Sequence, residues 1–262
     1  MGTAGALIAP KKMPTLFVAH GAPILVDDAT WVSELQAWAK QLPRPKAILM
    51  LSAHWEERPV TLGATHTVPL VYDFYGFPQK YYDTRYPAPG APELAARVKQ
   101  LMGKRPVAQS QRGLDHGAYV PLLVMYPNAD VPVLQVSLPS LEPTELFDLG
   151  RALAPLRDEG VLIIGSGFLA HNLRLVRFGS TETPQWAKEF DAWNAEVLAK
   201  RDVDALLDYR ARAPGVEIAL PTHEHFVPVV TALGAALDAR EVSFPVTGYF
   251  AGSLTKRSVQ FG

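Results

Sequence analysis

The chain contains no cysteine. That excludes disulfides, thiolate metal sites and a cysteine nucleophile together. No apolar run approaches the roughly 20 residues that a membrane-crossing helix needs, so no membrane partner is expected. The opening "MGTAGALIAPKK" is short and carries its basic pair on the wrong side for a signal peptide. Residues 1–12 are read as a flexible extension before the first strand, and a cytoplasmic location follows as the expectation. An excess of one charge is also missing: Lys and Arg total 25 against 26 Asp and Glu. No basic face is implied, so nucleic acid is not an expected partner. Nor is there a P-loop, a dinucleotide glycine fingerprint, a GxSxG elbow or an HExxH helix.

What is present is a chain of 262 residues, the size of one large α/β domain. Its 48% apolar and 19% charged residues suffice for a substantial core. Four apolar, β-rich runs stand out at 15–19, 47–53, 131–138 and 161–167. Such continuous apolar strands indicate a sheet covered on both faces. Helical stretches lie between them. Residues 27–42 place Trp31, Leu35, Trp38 and Leu42 at three- and four-residue spacing. Further helices are predicted over 91–102, 143–160 (Thr144 as cap, Gly160 as stop), 183–202 and, despite Pro228, 225–239. The alternation predicts a single α/β domain over 13–262, with a central mostly parallel or mixed sheet flanked by helices. Residues 66–90, rich in Tyr, Phe, Pro and Gly, break the pattern. They read as a long ordered excursion, and such loops are often functional.

Seven histidines remain to be placed. His20 and His54 end apolar strands. His171 follows "VLIIGSGFLA" after a short turn. His116, in "GLDHGAYVPL", and His225, in "THEHFVPV", each precede an apolar helix. In α/β sheets ligands bind in the crevice at the carboxyl ends of the strands, so these five can converge there. His66 lies in a polar segment and is read as structural. His20 and His54 have small neighbours (Ala19, Gly21, Ala53) and are read as a shared metal site, with His225 as third member. Glu224 and His223 are rivals for that position. Neutral imidazoles suit borderline metals such as Fe(II) and Zn(II), and three protein ligands leave positions open for substrate. His116 and His171 are then free to move protons near neutral pH. Three alternatives stay open. They are Ser166 as a nucleophile with His171 as its base, a zinc hydrolase using the same histidines, and a non-catalytic metal-binding protein.

"LFVAHGAP", "LSAHWEERP", "YDFYGFPQKYYDTRYPAPG", "GLDHGAYVPLLVMYP", "IIGSGFLAHNL" and "PTHEHFVPVVTALGAA" occur in order from about residue 14 to the C-terminus. Together they resemble the class III extradiol ring-cleaving dioxygenases, in the 4,5-DOPA dioxygenase extradiol branch. The resemblance implies an α/β fold with a non-haem metal at the sheet's edge. It implies cleavage of a catechol such as L-DOPA beside its two hydroxyls, with O2, to a semialdehyde. It assigns the metal to His20, His54 and His225, the general acid/base role to His171 in "AHNL", and a second active-site role to His116. His171 is also a candidate fourth ligand. More distant members use two histidines and a glutamate, whereas a histidine stands at the third position here. Fe(II) is the implied cofactor for activity and Zn(II) the alternative. A homodimer is the expected assembly.

Overall fold

The computed structural model describes residues 12–262. The predicted extension over 1–12 therefore lies outside the described residues, except for Lys12. Its Nζ is tied to Asp238 at 2.9 Å and Asp158 at 3.2 Å.

The strands are β1 (Thr15–Ala19), β2 (Ala47–Glu56), β3 (Val60–Leu62), β4 (Val107–Gln109), β5 (Val133–Leu138), β6 (Val161–Gly167), β7 (Val242–Val246), β8 (Tyr249–Phe250), β9 (Leu254–Thr255) and β10 (Ser258–Phe261). Eight of them form one mixed sheet in the order β4-β3-β5-β2-β6-β1-β10-β7, while β8 and β9 pair separately. The centre, β5-β2-β6-β1, is parallel throughout. β3 on one side and β10 and β7 on the other run antiparallel to their inner neighbours.

Each central strand feeds two cores by simple alternation. Leu16, Val18, Ile48, Met50, Leu162 and Ile164 enter one layer. Phe17, Leu49, Leu51 and Ile163 enter the other. The helices are α1 (Ala29–Gln41), α2 (Gln79–Tyr82), α3 (Pro92–Met102), α4 (His116–Met125), α5 (Pro143–Leu153), α6 (Gln185–Lys200), α7 (Val203–Leu207), α8 (Tyr209–Arg212), α9 (Val216–Ala219) and α10 (Pro228–Gly234). α1 and α4 cover the first layer; α3, α5, α6 and α10 cover the second. Burial on both faces is why these strands read as unbroken apolar runs.

Two predicted helices are shorter than expected. The 225–239 segment is helical only over α10; Pro228, which has no N–H to donate, opens its first turn and sets its start. The 143–160 segment leaves α-geometry after Leu153 and continues as a 3₁₀ turn over Ala154–Arg157. The excursion over 66–90 contains one helical turn, α2. It is pinned by two isolated bridges, Val71 to Asp115 and Gly90 to Val133. Among the described residues no helix is long and apolar enough to cross a membrane.

Candidate metal centre

Three adjacent strands set the site. His20 directly follows β1, and its N–H donates to the Gly167 carbonyl at 3.2 Å. His54 lies within β2, near its carboxyl end. β6 runs between β1 and β2 and carries the "GSG" of 165–167. Its residues face alternate sides. A Cβ on Gly165 would stand 2.3 Å from the Pro228 carbonyl oxygen, and one on Gly167 2.0 Å from that of His225. Only glycine lets the 225–228 backbone cross the sheet this closely. Ser166, between them, points the other way, toward His20 and α4. α4 presses on β2 in the same manner: a Cβ on Gly117 would lie 2.9 Å from His54 Cδ2. Its N-terminus is fixed by buried Asp115, which accepts from Ser52 Oγ at 2.8 Å, from the Ala118 N–H at 3.1 Å and from Gln135 Nε2.

Five of the seven histidines meet as the sequence predicts. His54 Nε2 is 3.1 Å from His20 Nε2 and 3.2 Å from His225 Nε2. The His116 ring centroid lies 3.9 Å from that of His54 and 5.5 Å from that of His20. His171 stacks on His225 with centroids 3.5 Å apart and planes 12° from parallel. The remaining two stand apart. His66 is exposed, and His223 directs Nδ1 to the Tyr209 hydroxyl at 2.9 Å. Glu224 lies behind the cluster, with Oε1 3.0 Å from His225 Nδ1.

Hydrogen bonding decides which nitrogens are bare. Ser166 Oγ donates to the Gly117 carbonyl, which can only accept. At 2.9 Å from His20 Nδ1 it must therefore accept the Nδ1 proton. Likewise Glu224 accepts from His225 Nδ1. Both rings, when neutral, turn an unprotonated Nε2 inward. Burial keeps them neutral: His20 and His225 are held well below the usual imidazole range by desolvation first and neighbouring imidazoles second. Burial, with His116 adding and Asp73 opposing, pushes His54 down to about 3. Burial also takes His171 down to about 4, against the pull of Glu224.

Nitrogens about 2.0–2.1 Å from a shared ion lie roughly 2.9–3.4 Å apart for right-angled to tetrahedral coordination. The two measured separations fall in that range. Lone pairs crowded this closely repel unless a cation lies between them, so the donor set fits a borderline divalent metal. Among the described residues three groups bring their ligand atoms close enough for one ion: His20, His54 and His225; His54, Asp73 and His116; and His171, Glu224 and His225. The first consists of histidines alone.

Ser166 is not paired with His171. Its hydroxyl is committed to His20 and Gly117, which removes the nucleophile reading. Asp73 is a site residue that the sequence reading missed. It lies in the excursion, its Oδ1 accepts from His116 Nδ1 at 2.7 Å, and its side chain is 20% exposed. Burial raises its carboxyl, but the hydrogen bond and charge of His116 and the charge of His54 leave it below the ordinary carboxylate value. Its only signal in the sequence was its place in the segment that broke the strand–helix alternation.

Residues 15–255 match the family described as the catalytic LigB subunit of aromatic ring-opening dioxygenase. The chain is 39% identical to the 4,5-DOPA dioxygenase extradiol of Escherichia coli (strain K12), over 98% of this chain and 97% of that protein. It is also 39% identical to the protein of the same name from Beta vulgaris, over 94% and 96% respectively. The crystal structure of an uncharacterized Escherichia coli K12 protein superposes with a TM-score of 0.83 at 36% identity, covering 96% of this chain and 100% of that one. The match spans the parallel centre of the sheet and all five converging histidines, and the chain belongs to that LigB family of ring-opening dioxygenases. Within it, this protein is an extradiol ring-cleaving dioxygenase.

Proposed function

We propose that this enzyme opens catechols of the L-DOPA kind to a semialdehyde, with His20, His54 and His225 holding iron(II) through their Nε2 atoms. The observation that carries the reading is that His54 Nε2 lies 3.1 Å from His20 Nε2 and 3.2 Å from His225 Nε2. When bound, iron(II) supplies Lewis acidity toward the catechol oxygens and the redox chemistry that O2 needs, of which zinc supplies only the first.

The rest is done by the chain's own side chains. His171 is unprotonated near neutral pH, so a ring nitrogen is free to accept a proton from a catechol hydroxyl. His116 keeps its Nδ1 proton on Asp73, which leaves Nε2 as the atom that exchanges a proton with substrate. Stacking on His225 fixes the plane of His171, and this reading keeps His171 as a proton carrier outside the ligand set. Phe168, 5.3 Å from His20 and 5.7 Å from His171, and Phe74, edge-on to His116 at 5.7 Å, border the cluster with flat apolar surface that suits an aromatic ring.

The test is anaerobic reconstitution of EDTA-treated protein with Fe(II) or Zn(II), followed by L-DOPA and other catechols in air. The reading expects iron-dependent O2 uptake and a yellow product. Turnover with zinc and no O2 uptake would replace it with a hydrolase, and no O2 uptake with any catechol would remove the catechol assignment. Sedimentation of the same samples reads the proposed homodimer.

A further inference from the structure

We propose that Asp73 is a positioning residue that orients His116 and His54 together, a role that rests on the centre assigned above. Its two carboxylate oxygens divide the work. Oδ1 accepts from the backbone N–H of His116 at 3.1 Å and from its Nδ1 at 2.7 Å. Oδ2 lies 3.5 Å from His54 Nδ1. One side chain thus stands behind both a proposed proton carrier and a proposed metal histidine.

The backbone explains how a loop residue reaches this place. Val71 forms a bridge with Asp115, and its N–H donates to the Leu114 carbonyl at 2.9 Å. The next residues therefore run beside the N-terminus of α4. The first N–H groups of a helix have no partner inside it, and the one on His116 is taken by Asp73. The flanking rings hold the carboxylate in place. Tyr72 packs edge-on to Tyr119 at 6.2 Å, and Phe74 edge-on to His116 at 5.7 Å.

The other two converging histidines already have an oxygen behind Nδ1, Ser166 for His20 and Glu224 for His225. Asp73 Oδ2 is the oxygen that faces His54 Nδ1, at 3.5 Å, an electrostatic approach longer than those two hydrogen bonds. Such outer partners fix tautomer and ring orientation, and their loss typically costs about 10–100-fold in metal affinity or activity. Ser166 and Glu224 each serve one ring. Asp73 serves two, and it comes from the excursion rather than from a sheet strand or the turn before α10. The excursion's contribution is therefore to align the centre as well as to cover it.

The competing account is that Asp73 merely anchors the excursion to α4. The two separate on Zn(II) affinity of the EDTA-treated protein, measured by competition with a chromophoric chelator, together with kcat and KM for L-DOPA under saturating iron and the melting temperature. Asp73→Asn preserves shape and removes the charge; Asp73→Ala removes both acceptors. The expected result is a fall of about 10–100-fold in Zn(II) affinity for Asp73→Ala, with a smaller fall for Asp73→Asn. A drop in kcat that exceeds any change in KM should accompany it. In a His116→Asn background, Asp73→Asn should no longer lower kcat yet still weaken Zn(II) through His54. Asp73 variants that bind Zn(II) and turn over like the parent overturn the proposal, whatever their melting temperature. A parent protein that takes up no Zn(II) overturns the reading of the centre, and this proposal with it.

Discussion

At the scale of single residues, the inward nitrogens of His20 and His225 are bare because of the oxygens on their far sides. A serine whose proton is committed to a carbonyl and a glutamate at 3.0 Å each claim an Nδ1 proton. The neighbouring His223, two positions from His225, has the same side chain but pairs with the Tyr209 hydroxyl instead. Composition cannot distinguish these two histidines; the backbone crossing at Gly167 does. Two substitutions separate the proposed roles. His54→Ala should lose metal affinity by more than the 10–100-fold typical of an outer partner, and lose activity with it. His171→Ala should keep its metal and lose about 10²–10⁴ in turnover, the usual worth of a positioned proton carrier. Metal content by atomic absorption beside kcat decides the matter; equal metal loss in both would make His171 a ligand.

At the scale of elements, β6 determines how close the two layers approach. Its glycines face α10 and the turn before it, and its serine faces α4. Gly167→Ala would place a methyl against a main-chain oxygen with no flexible side chain to yield. Overpacking of this kind costs about 1–3 kcal/mol, and the shift it forces would carry His225 with it. Urea denaturation and a Zn(II) titration of Gly167→Ala should both show weakening; parent-like values in both would mean that the crossing relaxes freely. The central strands and most helices were legible because burial on two faces writes long apolar runs. β3, β4, β7 and β10 were not. They are three to five residues long, they lie outside the parallel centre, and β7 is an edge strand that tolerates Pro245.

At the scale of the whole molecule, five depressed histidines (His20, His54, His171, His223 and His225) link folding to pH. Above their unfolded value, near 6.5, both states carry neutral rings and no dependence arises. Below it the unfolded chain takes up protons that the folded chain refuses until about pH 4 for His171 and about 3 for His54. Stability of metal-free protein should therefore fall as pH drops from about 7 to 5. Melting curves of EDTA-treated protein across that interval check this; a flat or rising melting temperature on acidification would contradict it. Zn(II) should raise the melting temperature at pH 7, by about 2.7 kcal/mol of stabilisation at a hundredfold excess over Kd. That gain should persist at pH 5, because the folded site stays free of protons.

By itself the sequence determined the layered α/β order and pointed to the five histidines that converge, since strand burial and strand-end position are local patterns written in consecutive residues. It also marked residues 66–90 as unlike the rest. What the tertiary structure decided was every choice between near-equivalent neighbours: His225 over His223, Ser166 as a partner of His20 instead of a nucleophile, and Asp73 as the acid that reaches the centre. Each depends on contacts between segments tens of residues apart, brought together by sheet order and by glycines that allow one backbone to cross another, and no local pattern encodes that distance.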